Sequence, residues 1–358
     1  MSQMFRRSAT AAWPFLITAL LLGPCAVSAL QEPEEKVPTE AEANAMCAKV
    51  AHFKPGPEAT PSAQDRKTFA DKSADCTGFV YDTGEGTDYD KGRRCCLVHG
   101  DCNRELAMIF ANGWKVHRDY EAATYFICQA GDEMAPFEQW EMLGHVERMR
   151  TAKTPKDLDF CEYAESGRGA AWCAGLDLDR RSFLAKRRTE DIRKSLDPAA
   201  QKSLAQLEKA ADHFKEADAE LQAADTRGGT IHNSELLGAE GKRVEIFVST
   251  LERFGRQRAA AASAEALKQA DAALNAAYKA AMAKEDEACE GCGEGEESSR
   301  ALLRDAQRVW ISYRDAWTAF YRLRWKGTAP PEALDREITA ALSTQRAEEL
   351  RKLGEEQP

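Results

Sequence analysis

The chain has 358 residues, 43% hydrophobic and 30% charged, with 49 basic against 59 acidic side chains and a formal net charge of −10. That length supplies two or three domains, each with apolar residues enough for a packed core. The acidic balance argues against a nucleic-acid partner; it suits a basic protein partner and equally serves plain solubility.

Residues 1–29 read as a cleavable signal peptide. Arg6 and Arg7 precede a short apolar run from Ala11 to Leu22, and Val27, Ser28 and Ala29 supply the small residues of a cleavage site. Cys25 raises a lipoprotein alternative, which Pro24 before it disfavours. The apolar run is too short to span a bilayer, and nothing later resembles a transmembrane segment. Cleavage after Ala29 leaves ten cysteines (11 − 1) and a charge of −12, from 47 bases and 59 acids. An even cysteine count in a periplasmic or secreted protein favours disulfides. Residues 30–75 are expected to be a linker and a helical cap.

The run "CCLVHGDC" at 95–102 places His99 among Cys95, Cys96 and Cys102. It resembles the Cys-Cys-x-x-His-Asp-x-Cys run of secreted phospholipase A2, which would make His99 a base beside a calcium site. Gly100 stands where that family needs aspartate, however. Gly84, Gly86 and Thr87 echo a calcium loop without its cysteine-glycine signature, so the carbonyl cage is unsupported. A calcium-dependent hydrolase is the least favoured reading, and His99 is expected to be a surface residue at a helix end.

A second pattern accounts for the same letters. Shifted by 31 residues, "TDYDKGRRCCLVHGD" falls on "RDYEAATYFICQAGD", so that Asp88 meets Asp119, Tyr89 meets Tyr120 and Gly100-Asp101 meets Gly131-Asp132. Each copy predicts a helix that stops at glycine, with Asp101 capping the next helix. The stretch between carries Leu106, Ile109 and Phe110 on one helical face and breaks at Gly113. Paired helices at a period in the thirties mark a solenoid. "LAMIFANGWKVHRDYEAATYFICQAGD" resembles the Sel-like subclass of tetratricopeptide repeats, with Lys115 where the turn's second glycine often stands. This module is expected over 76–152.

From about residue 157 the composition turns strongly helical. Between 301 and 325 the aromatics at 310, 313, 317, 320, 321 and 325 paint one helix face, which reads as core. Arg314 and Asp315 lie just off it as a candidate ion pair. An upstream helix sets Leu267, Leu274, Tyr278 and Met282 on one side, and a third follows "KGTAPP". The succession resembles the LprI-type lysozyme inhibitors. It carries Asp271, Leu274, Asn275 and Tyr278, then Leu303, Ala306, Gln307, Trp310, Tyr313, Arg314 and Asp315, then Gly327, then Arg346, Glu349 and Leu350.

A degenerate copy precedes it. Shifted by 99, Leu204 meets Leu303, Glu208 meets Gln307, Phe214 meets Tyr313, and Ala211 replaces Trp310. "RGGT" at 227–230 meets "KGTA" at 326–329, and, one helical turn out of that register at a separation of 103, Arg243 with Glu245 echoes Arg346 with Glu348. Cys161 and Cys173 look like that family's paired entry cysteines, which the second copy lacks. The expected architecture is all-α: a helical-hairpin module, then tandem helical bundles over 157–256 and 257–354, stapled by disulfides.

Cys289 and Cys292 form a CxxC among glutamates that disfavour a thiolate, so a disulfide staple is expected there. Partners for Cys47, Cys76, Cys95, Cys96, Cys102 and Cys128 stay open. The six histidines (His52, His99, His117, His145, His213, His232) show no ligand spacing, and no nucleophile elbow, zinc motif or phosphate loop occurs. No catalytic residue, metal or cofactor is expected. The resemblance implies a lysozyme as partner, met by the turns of Arg227, Gly228 and Gly229 or of Lys326 and Gly327. The alternative is a helical-repeat adaptor for another cell-envelope protein.

Overall fold

A computed structural model describes residues 37–71, 75–288 and 299–353. The signal peptide, Cys25 and the Cys289–Cys292 staple lie outside the described residues. Everything regular is helical: the described residues form twelve α-helices, short 3-10 turns and no strand, so the fold is all-α and disulfide-bonded.

Six short helices come first: α1 (Glu40–Val50), α2 (Ala63–Thr68), α3 (Tyr89–His99), α4 (Asn103–Asn112), α5 (Tyr120–Gln129) and α6 (Pro136–Thr151). Their ends are written in local chemistry. Thr39 and Glu42 form a capping box on α1, as Ser62 and Asp65 do on α2. The carboxylates of Asp88 and Asp119 accept from the first-turn amides of α3 and α5, which begin 31 residues apart. The backbone amides of both aspartates donate to equivalent carbonyls, Phe79 at 2.8 Å and Phe110 at 3.0 Å. Gly113 ends α4 at φ 71°, and Lys115 two residues on adopts φ 60°, a conformation that favours glycine. The position where the repeat pattern calls for glycine is thus left-handed here with lysine in it.

One cap differs from expectation. Asp101 does not cap α4; Cys102 stands there and makes no side-chain capping hydrogen bond. The free amides of Asn103 and Arg104 are instead taken by Glu133, at 3.1 and 3.0 Å, because its carboxylate reaches both from the following hairpin. Four disulfides staple this region: Cys47–Cys128 joins α1 to α5, Cys76–Cys95 and Cys96–Cys102 bracket α3, and Cys161–Cys173 closes the entry to the next helix.

Six long helices follow: α7 (Gly167–Arg193), α8 (Pro198–Gln222), α9 (His232–Arg256), α10 (Ala264–Ala288), α11 (Ser299–Arg324) and α12 (Pro331–Leu353). Ser166 and Asp197 cap α7 and α8, and proline opens both α8 and α12. α7 packs along α9, α10 along α12, and α8 along α11. The segments 157–256 and 257–354, expected as successive bundles, contribute to one apolar core that runs from Ile192 to Leu350. A separate core spans Ala43 to Tyr163. Trp172 and Cys173, near the start of α7, pack on the first core, and Ile192 near its end belongs to the second. The 27 residues of α7 therefore bridge the two, over about 40 Å at 1.5 Å per residue.

Candidate functional site

The apolar stripe of α8 runs Leu204, Leu207, Ala211, Phe214 and Leu221, all buried, but Asp218 interrupts it at 1% exposure. Its carboxylate accepts from Arg243 Nε of α9 at 2.6 Å and from Arg346 Nη1 of α12 at 2.7 Å. Glu349 Oε2 closes the ring, 2.9 Å from Arg243 Nη1 and 3.1 Å from Arg346 Nη1. Both guanidinium carbons stand 5.0 Å from the ring centroid of Phe214, which stacks on Tyr313. Gln307 Oε1 accepts from Arg346 Nε at 3.3 Å.

Burial alone would raise the Asp218 carboxyl, but the Arg346 and Arg243 guanidiniums outweigh it and hold that carboxyl below the usual aspartate range. Burial likewise works against the Arg243 cation, and Asp218 with Glu349 more than restores it. Burial pushes the Tyr313 phenol up, which keeps it neutral. Two cations face two anions, so the cluster's charge is balanced. A cleft of about 280 Å³ opens beside it, rimmed by Lys242, Gln345, Glu348 and Lys352. The arrangement is a buried brace with a recess alongside.

The structure separates the expected binding turns. Arg227, Gly228 and Gly229 immediately precede α9, while the turn of Lys326 and Gly327 hangs on its far end. There Arg324 Nε donates to the Gly255 carbonyl at 2.8 Å and Trp325 Nε1 to the Phe254 carbonyl at 3.0 Å. The 25 residues of α9 hold the turns about 37 Å apart. Gly228 and Gly327, matched at the 99-residue shift, are both left-handed, with φ of 74° and 81°. Arg227 is half-buried and bonded to Glu220 at 3.2 Å, whereas Lys326 and Gly327 are exposed. Thus the turns are alike in conformation and make no common surface.

Trp310 and Tyr313 are buried at 3% and 6% exposure, within the second core. Arg314 pairs with Asp315 at 3.2 Å and lies over the Trp310 ring, 5.4 Å from its centroid. His99 corrects an expectation: it is half-buried, not a free surface residue. One ring nitrogen faces the Phe69 carbonyl at 3.1 Å and the other the Cys76 sulfur at 3.3 Å, because the Cys76–Cys95 bridge draws the preceding loop across α3. Gly100 ends that helix in a left-handed turn, so Asp101 does not continue it. The sulfurs of Cys76 and Cys95 lie within 4.8 Å of a His99 nitrogen, but both are spent in a disulfide.

Another buried carboxylate lies near the first core. Glu105, fully buried, accepts from Arg104 Nη2 at 2.6 Å and Tyr81 Oη at 3.3 Å. Burial pushes its pKa up, and the Arg104 guanidinium only partly offsets this. Arg104 in turn lies 3.7 Å from the Trp172 centroid, at the root of α7. No helix among the described residues is long and apolar enough to cross a membrane.

Sequence reasoning did not single out Asp218 as the counter-ion of Arg243 and Arg346. The signal was present as one acid inside a 3-4-3-4-3 apolar stripe, a position that demands a buried cation.

These features define a helical, disulfide-bonded protein whose second half is built round a buried arginine–carboxylate brace. Residues 254–350, just over a quarter of the chain, match the family described as Lysozyme inhibitor LprI. No curated protein and no solved structure matches the chain. Gln307, Arg346 and Glu349 of the matched segment gather in the brace, whose other members, Asp218 of α8 and Arg243 of α9, lie outside that segment.

Proposed function

We propose that the chain is an exported, non-catalytic protein that binds and inhibits a lysozyme through its C-terminal helical half. The observation that carries this reading is the family match over 254–350, whose motif residues hold the brace that fixes α11 against α12. Four disulfides suit an oxidising, periplasmic or secreted setting. The similar helix offsets, 97, 101 and 99 residues between the starts of α7 and α10, α8 and α11, and α9 and α12, favour descent of 157–256 and 257–354 from one duplicated LprI-like unit, and the 31-residue offset of α3 and α5 favours Sel-like hairpins ahead of them.

Of the two turns, that of Lys326 is the better contact. Its lysine is exposed on a turn anchored by Arg324 and Trp325, and a lysozyme cleft offers carboxylates to meet it. The acidic surface hastens encounter with a basic enzyme. The test is cell-wall clearing by c-, g- and i-type lysozymes with the oxidised protein in excess. Inhibition is expected for at least one enzyme, with Lys326→Glu weakening it about tenfold or more, ~1.4 kcal/mol, and Arg227→Glu changing it little. Absence of both inhibition and binding contradicts the proposal.

A second reading, the repeat adaptor, is favoured by a groove of about 460 Å³ among α1, α5 and α6, lined by Lys49, Phe53, Glu121, Glu147 and Arg150. It predicts capture of an envelope protein that survives Lys326→Glu.

A further inference from the structure

The proposed lysozyme contact leaves the cysteine-rich run at 95–102 without a role, although its ligating atoms gather about one sulfur. Cys76 Sγ, Cys95 Sγ and a His99 ring nitrogen lie within 4.8 Å of one another, and Cys76 Sγ, Cys96 Sγ and Cys102 Sγ form a second such set. Among the described residues no other three cysteine, histidine or carboxylate side chains gather so closely. α3 sets Cys95 and His99 four residues apart, one turn along the same face. Cys76, 19 residues before Cys95, comes to them from the loop that crosses the helix, which hides the set from any reading of ligand spacing.

The imidazole is oriented as a metal ligand is. The Phe69 carbonyl, 3.1 Å from Nε2, can only accept, so in the neutral ring the proton stands on Nε2. The Nδ1 lone pair then faces Cys76 Sγ at 3.3 Å, a sulfur with no proton to give while it is bridged. A metal-bound histidine is commonly supported in this way, its other nitrogen donating to a backbone carbonyl. The 3.3 Å contact is also near the nitrogen-to-sulfur edge of a tetrahedral zinc site, about 3.5 Å for bonds of about 2.0 and 2.3 Å. Cys76 and Cys95 are buried and His99 is half-buried, so the sulfurs are shielded and the ring reaches solvent. α3 ends here at Gly100, and the carbonyl end of a helix favours a cation.

We propose that Cys76, Cys95 and His99 hold Zn2+ in the reduced chain, and that the Cys76–Cys95 bridge and the bound metal are alternative states of one site. The chain is made with free thiols and carries them until its bridges close. Zn2+ displaces a proton from each thiol it binds and takes the Nδ1 lone pair, with no change of oxidation state. Cys96 or Cys102, from the second set about Cys76, supplies the fourth ligand. The ion then ties α3 to the preceding loop, as the bridge does afterwards. The inference does not rest on lysozyme inhibition, so either can fail without the other.

The test is a Co2+ and Zn2+ titration of the full-length protein, kept reduced by a phosphine that offers the metal no thiol. One Co2+ per chain is expected, with the strong visible absorption of a tetrahedral thiolate site, and Zn2+ should displace it. The oxidised protein should show neither. Even residues that only support a metal ligand are worth about 10–100-fold in affinity. Cys76→Ser, which removes the sulfur common to both sets, should therefore weaken Zn2+ binding about a hundredfold or more, and His99→Ala about tenfold or more. Cys161→Ser and His117→Ala, outside the cluster, should leave it unchanged. No stoichiometric uptake by the reduced protein overturns the proposal. A reduced chain that has lost its fold is no exception, because such a site folds as it binds. Undiminished binding by both Cys76→Ser and His99→Ala also overturns it, since Zn2+ would then be taking whichever thiols come free.

Discussion

The two halves of this molecule reach stability by different means. All four disulfides of the described residues lie between Cys47 and Cys173, where α1 to α6 are only 6 to 16 residues long. Helices of that length are marginal by themselves and depend on tertiary contacts, as α4 does with nine of its ten residues buried. Beyond Cys173 the described residues hold no disulfide. There α7 to α12 run 23 to 27 residues each and share one core of Phe214, Phe254, Tyr313, Trp317 and Tyr321. The contrast extends to the buried acids. Glu105 in the stapled half is raised by burial, while Asp218 in the long-helix half is lowered because two arginines outweigh burial. Cross-links tie short helices together in the one region; helix length and aromatic packing hold the other, where Asp218 joins α8 to α9 and α12.

The largest break in this comparison comes from reduction. The Cys47–Cys128 bridge closes a separation of 81 residues, for which chain-entropy arithmetic gives about 4–5 kcal/mol. Replacing both cysteines by serine should release α1 from α5 and lower stability by several kcal/mol, read by urea unfolding with and without reductant. Under reductant the α8 and α11 amides should keep their hydrogen-exchange protection. Their collapse together with the first half would show that the long helices depend on the staples.

A comparable loss falls on the other half when Asp218 is removed. Asp218→Ala leaves Arg243 and Arg346 buried with Glu349 as their remaining acid, at a cost of about 3–5 kcal/mol. The same carboxylate sets an acid limb. Its native pKa lies below the unfolded one, so its stabilisation is complete above the ordinary aspartate value, about pH 4, and is lost as pH falls through the depressed value. Asp218→Asn should flatten that limb in acid unfolding monitored by tryptophan fluorescence. Glu105 works with the opposite sign: its raised pKa means that protonation on acidification relieves a buried charge. An acid limb unchanged in Asp218→Asn would contradict the role given to Asp218.

Much of this was legible in the sequence because it is local. Aspartates before helices, glycines after them and the aromatic face from Trp310 to Trp325 all follow from neighbouring residues. Cys161 and Cys173 stand 12 apart and are bonded. What was not legible is non-local. The pairings of Cys47 with Cys128 and of Cys76 with Cys95 depend on how hairpins stack, which spacing does not encode. The grip of Glu133 on the α4 amides crosses 30 residues, and that of Arg346 on Asp218 crosses 128. The two glycine turns matched in sequence, and only the length of α9 showed that they stand apart.

The central structural claim is that 157–256 and 257–354 share one core braced by Asp218, Arg243 and Arg346. It is tested most directly by native-state hydrogen exchange on the full-length oxidised protein. The slowest amides of α8, α9, α11 and α12 should exchange with a single free energy that falls together in Asp218→Ala. Two distinct free energies, with the α11 and α12 amides unaffected by Asp218→Ala, would mean two independent bundles and would contradict the account.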